Sequence, residues 1–135
     1  MKNYSTGGQI VTVNGRTIKD WGESDPAFTH EGIDENVKLR RGQGGGGIRL
    51  DRINPGRKYV LNLNPGSSDS GYIQGLLNRG VDITISSVQI GTLEGSLGRE
   101  GAISADGPVG RAGQSITDDN FTINCNLFNQ TKGGI

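Results

Sequence analysis

Short runs in which apolar and polar residues alternate, each stopped by glycine, proline or asparagine, recur along the chain and leave few folds open to it. Period-two alternation places one face of a strand on a core and the other in water, which specifies antiparallel sheet. Gln9 to Val13 and Arg16 to Trp21 flank Asn14-Gly15, a pair suited to the positive φ angles of a type I′ hairpin turn. Ala27 to His30, Asn36 to Arg41 and Ile48 to Ile53 follow, the last two joined by GQGGGG at Gly42 to Gly47. Asn54-Pro55-Gly56-Arg57 has the proline and glycine of a type II turn and leads into Lys58 to Asn64. There Tyr59, Leu61 and Leu63 share one face and Val60, Asn62 and Asn64 the other. Val81 to Ser87 and Ser87 to Thr92 extend the series. Asn120 to Phe128 closes it, with faces Phe121/Ile123/Cys125/Leu127 and Thr122/Asn124/Asn126/Phe128.

One segment changes period. SSDSGYIQGLLNRG offers Ser68 or Asp69 as N-cap, an apolar stripe at Ile73, Leu76 and Leu77, and Gly80 as the stop of a helix over about 69–79. Three turns do not hold in water alone, so this helix must pack on the sheet. With 31% hydrophobic residues, 5% aromatic and 24 glycines, the core is thin and carried by Val, Ile and Leu. The 135 residues suit a single domain, 1–135. The expected fold is mainly β, an antiparallel β-sandwich or open barrel with one flanking helix. Long Gly-rich loops are expected at about 42–47 and 93–113, the second because it lacks large apolar groups. A connection of that length is usually functional, so removing Gly98 to Gly110 should leave a soluble subunit that no longer assembles.

The chemistry available argues against an enzyme. His30 is the only histidine, sits near a turn without a partner at metal-ligand spacing, and reads as a surface or interface residue. Cys125, alternating with apolar neighbours, reads as a buried thiol. Asp34/Glu35 and Asp118/Asp119 lie in polar, turn-like contexts and read as solvated loop acids. No catalytic residue, cofactor or metal is expected. GQGGGG lacks the Lys-Ser/Thr of a phosphate-binding loop and is followed by strand-like Ile48-Arg49-Leu50-Asp51 instead of a helix. Fourteen basic against fourteen acidic residues leave no excess for neutralising a polyanion, and low net charge does little to keep copies apart. Seven of those fourteen cations fall within Lys38 to Lys58, with Tyr59 the only aromatic nearby. Arginine favours bidentate ion pairs, so Arg40, Arg41, Arg49, Arg52, Arg57 and Lys58, with Arg99 and Arg111, are candidates for contacts to acids of neighbouring copies. No apolar run approaches the ~20 residues of a membrane span, and the first residues have no apolar signal region. The chain is expected to stay in a cytoplasm unless it leaves within a particle.

The order of elements resembles that of small bacteriophage tail tube proteins over roughly Gln9 to Leu127. It is carried by the TVNG hairpin into IKDWGESD, the strand pair VKLRRGQGGGGIRLDRI, KYVLNLN, the helix SDSGYIQGLLN and the closing NFTINCNL. The resemblance implies a subunit of hexameric rings stacked into the inner tube of a tail, of contractile type. Its expected partners are further copies, tail sheath, baseplate and tail terminator proteins, with tape-measure protein and genomic DNA passing through the lumen. The expected location is the virion tail, assembled in the cytoplasm of the bacterial host. A polar lumen would be slippery to DNA, which makes Asn62, Asn64, Thr122, Asn124 and Asn126 the lumen-facing candidates. A type VI-like tube carrying protein cargo has the same architecture. A monomeric nucleic-acid- or carbohydrate-binding β module is the reading from another class.

Overall fold

The computed structural model describes residue 1 and residues 3–133. Nine strands and one helix run in the order β1 Gln9–Val13, β2 Arg16–Ile18, β3 Phe28–Gly32, β4 Val37–Arg41, β5 Gly47–Asp51, β6 Arg57–Leu63, α1 Ser68–Arg79, β7 Ile83–Gln89, β8 Glu94–Asp106 and β9 Asp119–Thr131. Seven form one antiparallel sheet in the order β2-β1-β7-β8-β9-β6-β3, while β4 and β5 pair only with each other. The sheet curls over one core built from Val11, Val13, Ile18, Tyr59, Leu61, Leu63, Ile83, Ile85, Phe121, Ile123 and Cys125, against which α1 packs Ile73 and Leu76. The mainly β, open-barrel architecture with one helix is the expected one.

Local chemistry explains the turns. Asn14 and Gly15 take φ of 49° and 89°, as a type I′ turn needs. The Asn14 side chain also accepts from Thr84 N at 2.8 Å, tying this turn to β7. The helix is capped by Ser67, whose hydroxyl accepts from Ser70 N, and ends where Gly80 turns left-handed at φ 65°. Ser68 and Asp69 are thus not the cap.

Asp69 has another task. It is 5% exposed and accepts from Lys19 N and Asp20 N at Oδ2 and from Arg16 Nε at Oδ1, each at 2.9 Å. These bonds hold the chain where it leaves β2 and crosses to the last residues of β6, past the start of β3. There Gly22 N donates to Asn62 O and Asp20 O accepts from Asn64 N, with Trp21 bridged to Leu63. The run Arg16 to Trp21 is therefore two pieces: three residues against β1, and a short stretch against β6, near the other end of the strand order.

The expected 93–113 loop is mostly strand. β8 occupies 13 residues from Glu94 to Asp106 and lies in the middle of the sheet between β7 and β9; only 107–118 connect it to β9. Its glycines are spacing devices. A Cβ on Gly98 would lie 2.7 Å from Cys125 Sγ and 2.8 Å from Tyr59 Cε2, and one on Gly101 would lie 2.8 Å from Cys125 Sγ. Large side chains from β6 and β9 fill the space that β8 leaves. Removal of Gly98 to Gly110 would take out most of this strand and with it the sheet.

The two faces of β9 also differ from strict alternation. Ile83 pairs with Gly101 but Ile85 with Gly98, so β8 carries an extra residue there, with Glu100 at φ 51°. Phe121, Ile123 and Cys125 face the core. Beyond the bulge Leu127 pairs with exposed Arg99, and Phe128 turns inward under the Arg57 guanidinium. Gln130, opposite buried Ser96, follows it inside. The assignment of Leu127 to the core face and Phe128 to the polar face is reversed by the bulge.

Candidate assembly surfaces

β4 and β5 form a ribbon that leaves the body where β3 and β6 end. Ile33 N and Asp34 N donate to Gly56 O and Pro55 O, and Arg52 N to Asn36 O, so the pairing continues outward from the sheet edge. All ten strand residues of the ribbon are exposed. Five residues per strand reach about 17 Å. Directly opposed residues share a face, so Val37, Leu39 and Arg41 lie with Asp51, Arg49 and Gly47, and Lys38 and Arg40 with Leu50 and Ile48. Each face mixes cations with exposed Leu39, Ile48 and Leu50. A two-stranded hairpin without a core is marginal in water, so this ribbon has the character of an element completed by something outside the subunit.

The candidate cations separate into groups. Arg49 pairs with Asp51 at 2.6 Å, Lys58 with Glu31 at 3.3 Å and Arg111 with Asp119 at 2.9 Å. Arg52 braces the ribbon's root, donating to Glu35 O at 3.0 Å beside Asp34. Arg57 is directed inward: its Nε and Nη2 lie 3.0 and 2.6 Å from His30 Nδ1. Arginine only donates, so Nδ1 is the acceptor and the His30 proton sits on Nε2. Burial, then the Arg57 charge, hold His30 below its ordinary 6.5 and favour this neutral form. His30 is half-buried against Phe28 and Tyr59, with ring centroids 5.7 and 5.4 Å away, and is not a surface residue. Among the described residues Arg40, Arg41 and Arg99 have no acid partner and make no side-chain hydrogen bond; of the candidate cations these three remain unpaired there.

The polar face of β6 and β9 looks outward. Asn62, Thr122 and Asn124 lie on it half-buried, and Asn120 Nδ2 donates to Asn62 Oδ1 at 2.7 Å. Asn124 Oδ1 is enclosed without a partner. Asn64 lies just past β6 and donates to Asp20, while Asn126 donates to Glu100 and accepts from Asn54 at the foot of the ribbon. These five therefore occupy one broad outer surface without forming one row.

Asp118 and Asp119 are structural acids, not solvated ones. Asp118 accepts from Ser24 Oγ at 2.6 Å, from Ser24 N at 2.9 Å and from Glu23 N at 3.3 Å, bonds that hold its carboxyl below the usual range. Asp119 accepts from Ser70 Oγ and from Arg111, fastening the 107–118 connection to α1. Neither role shows in sequence, because an aspartate next to a strand start looks the same whether it is free or pins a distant loop. Cys125 is 1% exposed and burial pushes its thiol up to about 11, so it has none of the character of a nucleophile. Among the described residues no group of three or more His, Cys, Asp or Glu side chains could hold a metal ion. No described helix is long and apolar enough to cross a membrane.

At the level of sequence, no protein family and no curated protein matches this chain. Its fold does match solved structures. A chain in the cryo-EM structure of the sheath/tube terminator of an extracellular contractile injection system, PVC, in the extended state superposes with a TM-score of 0.58 at 15% identity, covering 97% of this chain and 98% of that one. One in the PVC sheath-tube complex gives 0.58 at 15% identity over 96% and 91%. One in the anti-feeding prophage cap, the AFP tube terminating cap, gives 0.56 at 15% over 97% and 92%. The chain thus has the fold of subunits found in contractile injection-system particles.

Proposed function

We propose that this chain is a structural subunit which polymerises as stacked hexameric rings into the inner tube of a contractile tail, the conduit for the genome. The observation that carries the reading is the β4–β5 ribbon: two strands with every residue exposed, Arg40 and Arg41 without partners among the described residues, and apolar Leu39, Ile48 and Leu50 in water. Such an element costs stability in a monomer and repays it on a neighbour. The likeness to chains of contractile particles supports the same reading. A contact between unlike surfaces repeats from copy to copy and does not close on itself, as stacked rings require. In this assembly the Asn62, Thr122 and Asn124 surface faces the lumen. Lys58, the cation beside it, is already neutralised by Glu31, so that wall offers passing DNA few phosphate contacts.

The fold's presence in structures described as a tube terminator and a terminating cap favours a second reading, a subunit that ends a tube. Negative-stain microscopy of the concentrated protein separates the two: tubes of open-ended length support the first, isolated rings the second. A monomer at every concentration refutes both. Replacing residues 38–50 by a two-residue turn should leave the circular dichroism of the body unchanged and stop tube growth. Unimpaired growth of that variant sinks the ribbon's assigned role.

A further inference from the structure

A groove of about 580 Å³ opens along the seam where the curled sheet fails to close, lined by Trp21, Gly22, Pro26 and Phe28 on one side and by Gln9 and Gln89 on the other. Its floor is aromatic: the Trp21 and Phe28 rings lie 6.0 Å apart, both half-buried, and neither is covered. Its rim is acidic. Glu23 and Asp25 are exposed and, among the described residues, have no cation. The rim is also held in place before anything binds, because Asp118 takes the Glu23 and Ser24 backbone amides. An apolar trough with a fixed anionic lip selects an elongated partner bearing both apolar and cationic groups.

The chain itself carries such a partner. The β4–β5 ribbon presents Leu39 beside Arg41 on one face and Ile48 beside Arg40 on the other, and neither arginine has an acid partner among the described residues. It leaves the body after Gly32, whereas the groove is entered at Phe28, the other end of β3, and no ribbon residue lines it. We infer that the seam groove is the receptor for the β4–β5 ribbon of a second copy, entered tip-first so that Arg40 and Arg41, on the ribbon's two faces, meet Glu23 and Asp25 at the rim and Leu39 and Ile48 lie over Trp21 and Phe28. This rests on the ribbon bridging subunits, as proposed above, and adds where it lands.

Charge reversal tests the pairing, since all four charged side chains are exposed and make no bond in the fold. R40E/R41E and E23R/D25R should each raise the concentration at which tubes form by ~100-fold, and the quadruple variant should restore assembly. Trp21 is the only tryptophan, so its emission should shift to the blue and lose acrylamide quenching as wild-type tubes form. If R40E/R41E abolishes tubes while E23R/D25R grows them normally with Trp21 emission unchanged, the groove is overturned and the ribbon still bridges elsewhere. If neither double variant matters, ribbon and groove fall together. Loss in both doubles without rescue in the quadruple overturns the pairing.

Discussion

Gly98→Ala probes whether the glycines of β8 exist to admit their neighbours. The new Cβ would meet Cys125 Sγ at 2.7 Å, Tyr59 Cε2 at 2.8 Å and Ile85 Cγ2 at 3.1 Å. All three residues are at most 1% exposed, so none can turn aside into solvent. Overpacking a closed core costs about 1–3 kcal/mol, and two contacts inside 3.0 Å place this case near the upper figure. With a urea slope of about 1–3 kcal/mol/M, the midpoint should fall by roughly 1 M or more. Cys125→Ala alone deletes one buried atom and should cost about 1 kcal/mol. It also removes the atom nearest the added methyl, so the double variant should be more stable than the sum of the singles by about 1 kcal/mol or more. Urea unfolding followed by far-UV circular dichroism, at dilution that keeps the chain monomeric, measures the cycle. A Gly98→Ala midpoint within error of wild type, or strict additivity, would refute the account of β8 as a strand emptied to fit its neighbours.

Acid should destabilise the subunit in two stages. His30 is held neutral below its ordinary 6.5, so its contribution is complete above that pH and is lost as pH falls toward the folded value; His30→Gln should flatten the stability slope that begins as pH falls below 6.5. Asp69 feels burial as a penalty, but its bonds from Lys19 N, Asp20 N and Arg16 prevail and hold it below 3.8. Stability from Asp69 is thus present above 3.8 and lost as pH drops through the folded value, a loss that Asp69→Asn should largely remove. Cys125, pushed up to about 11 and enclosed, should consume no Ellman's reagent at pH ~8 until denaturant is added; immediate titration of one thiol would contradict the packing of β9 against β8.

What could be read from sequence was what local chemistry decides. Asn14-Gly15, the strand read as Lys58 to Asn64 and found at Arg57 to Leu63, the helix with its Gly80 stop and the buried Cys125 all follow from residues within a few positions of one another. The central strand β8 could not be read, because its signature is negative. Gly98 and Gly101 are small on account of Tyr59 and Cys125, which are distant in sequence, and a glycine that yields space looks like a glycine that makes a loop. The exchange of faces at Leu127 and Phe128 falls beside the residue opposite the β8 bulge at Glu100, and nothing within β9 announces it. The ribbon was legible as a hairpin around its Gly run. Which of its arginines are spoken for was not, because Arg52 and Arg57 find their partners only when Glu35 and His30 are brought beside them.

The bulge at Glu100 gives one sheet two interiors. On one side of it the inner face is hydrocarbon, with Ile83, Ile123 and Leu61; on the other, Ser87, Gln89, Ser96 and Gln130 lie among Val11, Ile85 and Phe128, and the Gln130 amide atoms are enclosed without partners. Apolar burial, the main source of cohesion, holds the first side by itself, while on the second it is shared with polar pairs such as Tyr59 to Ser96. The subunit is a clasp with a stiff end and a compliant one. In the proposed tube, force along the stack would be absorbed first at the polar end.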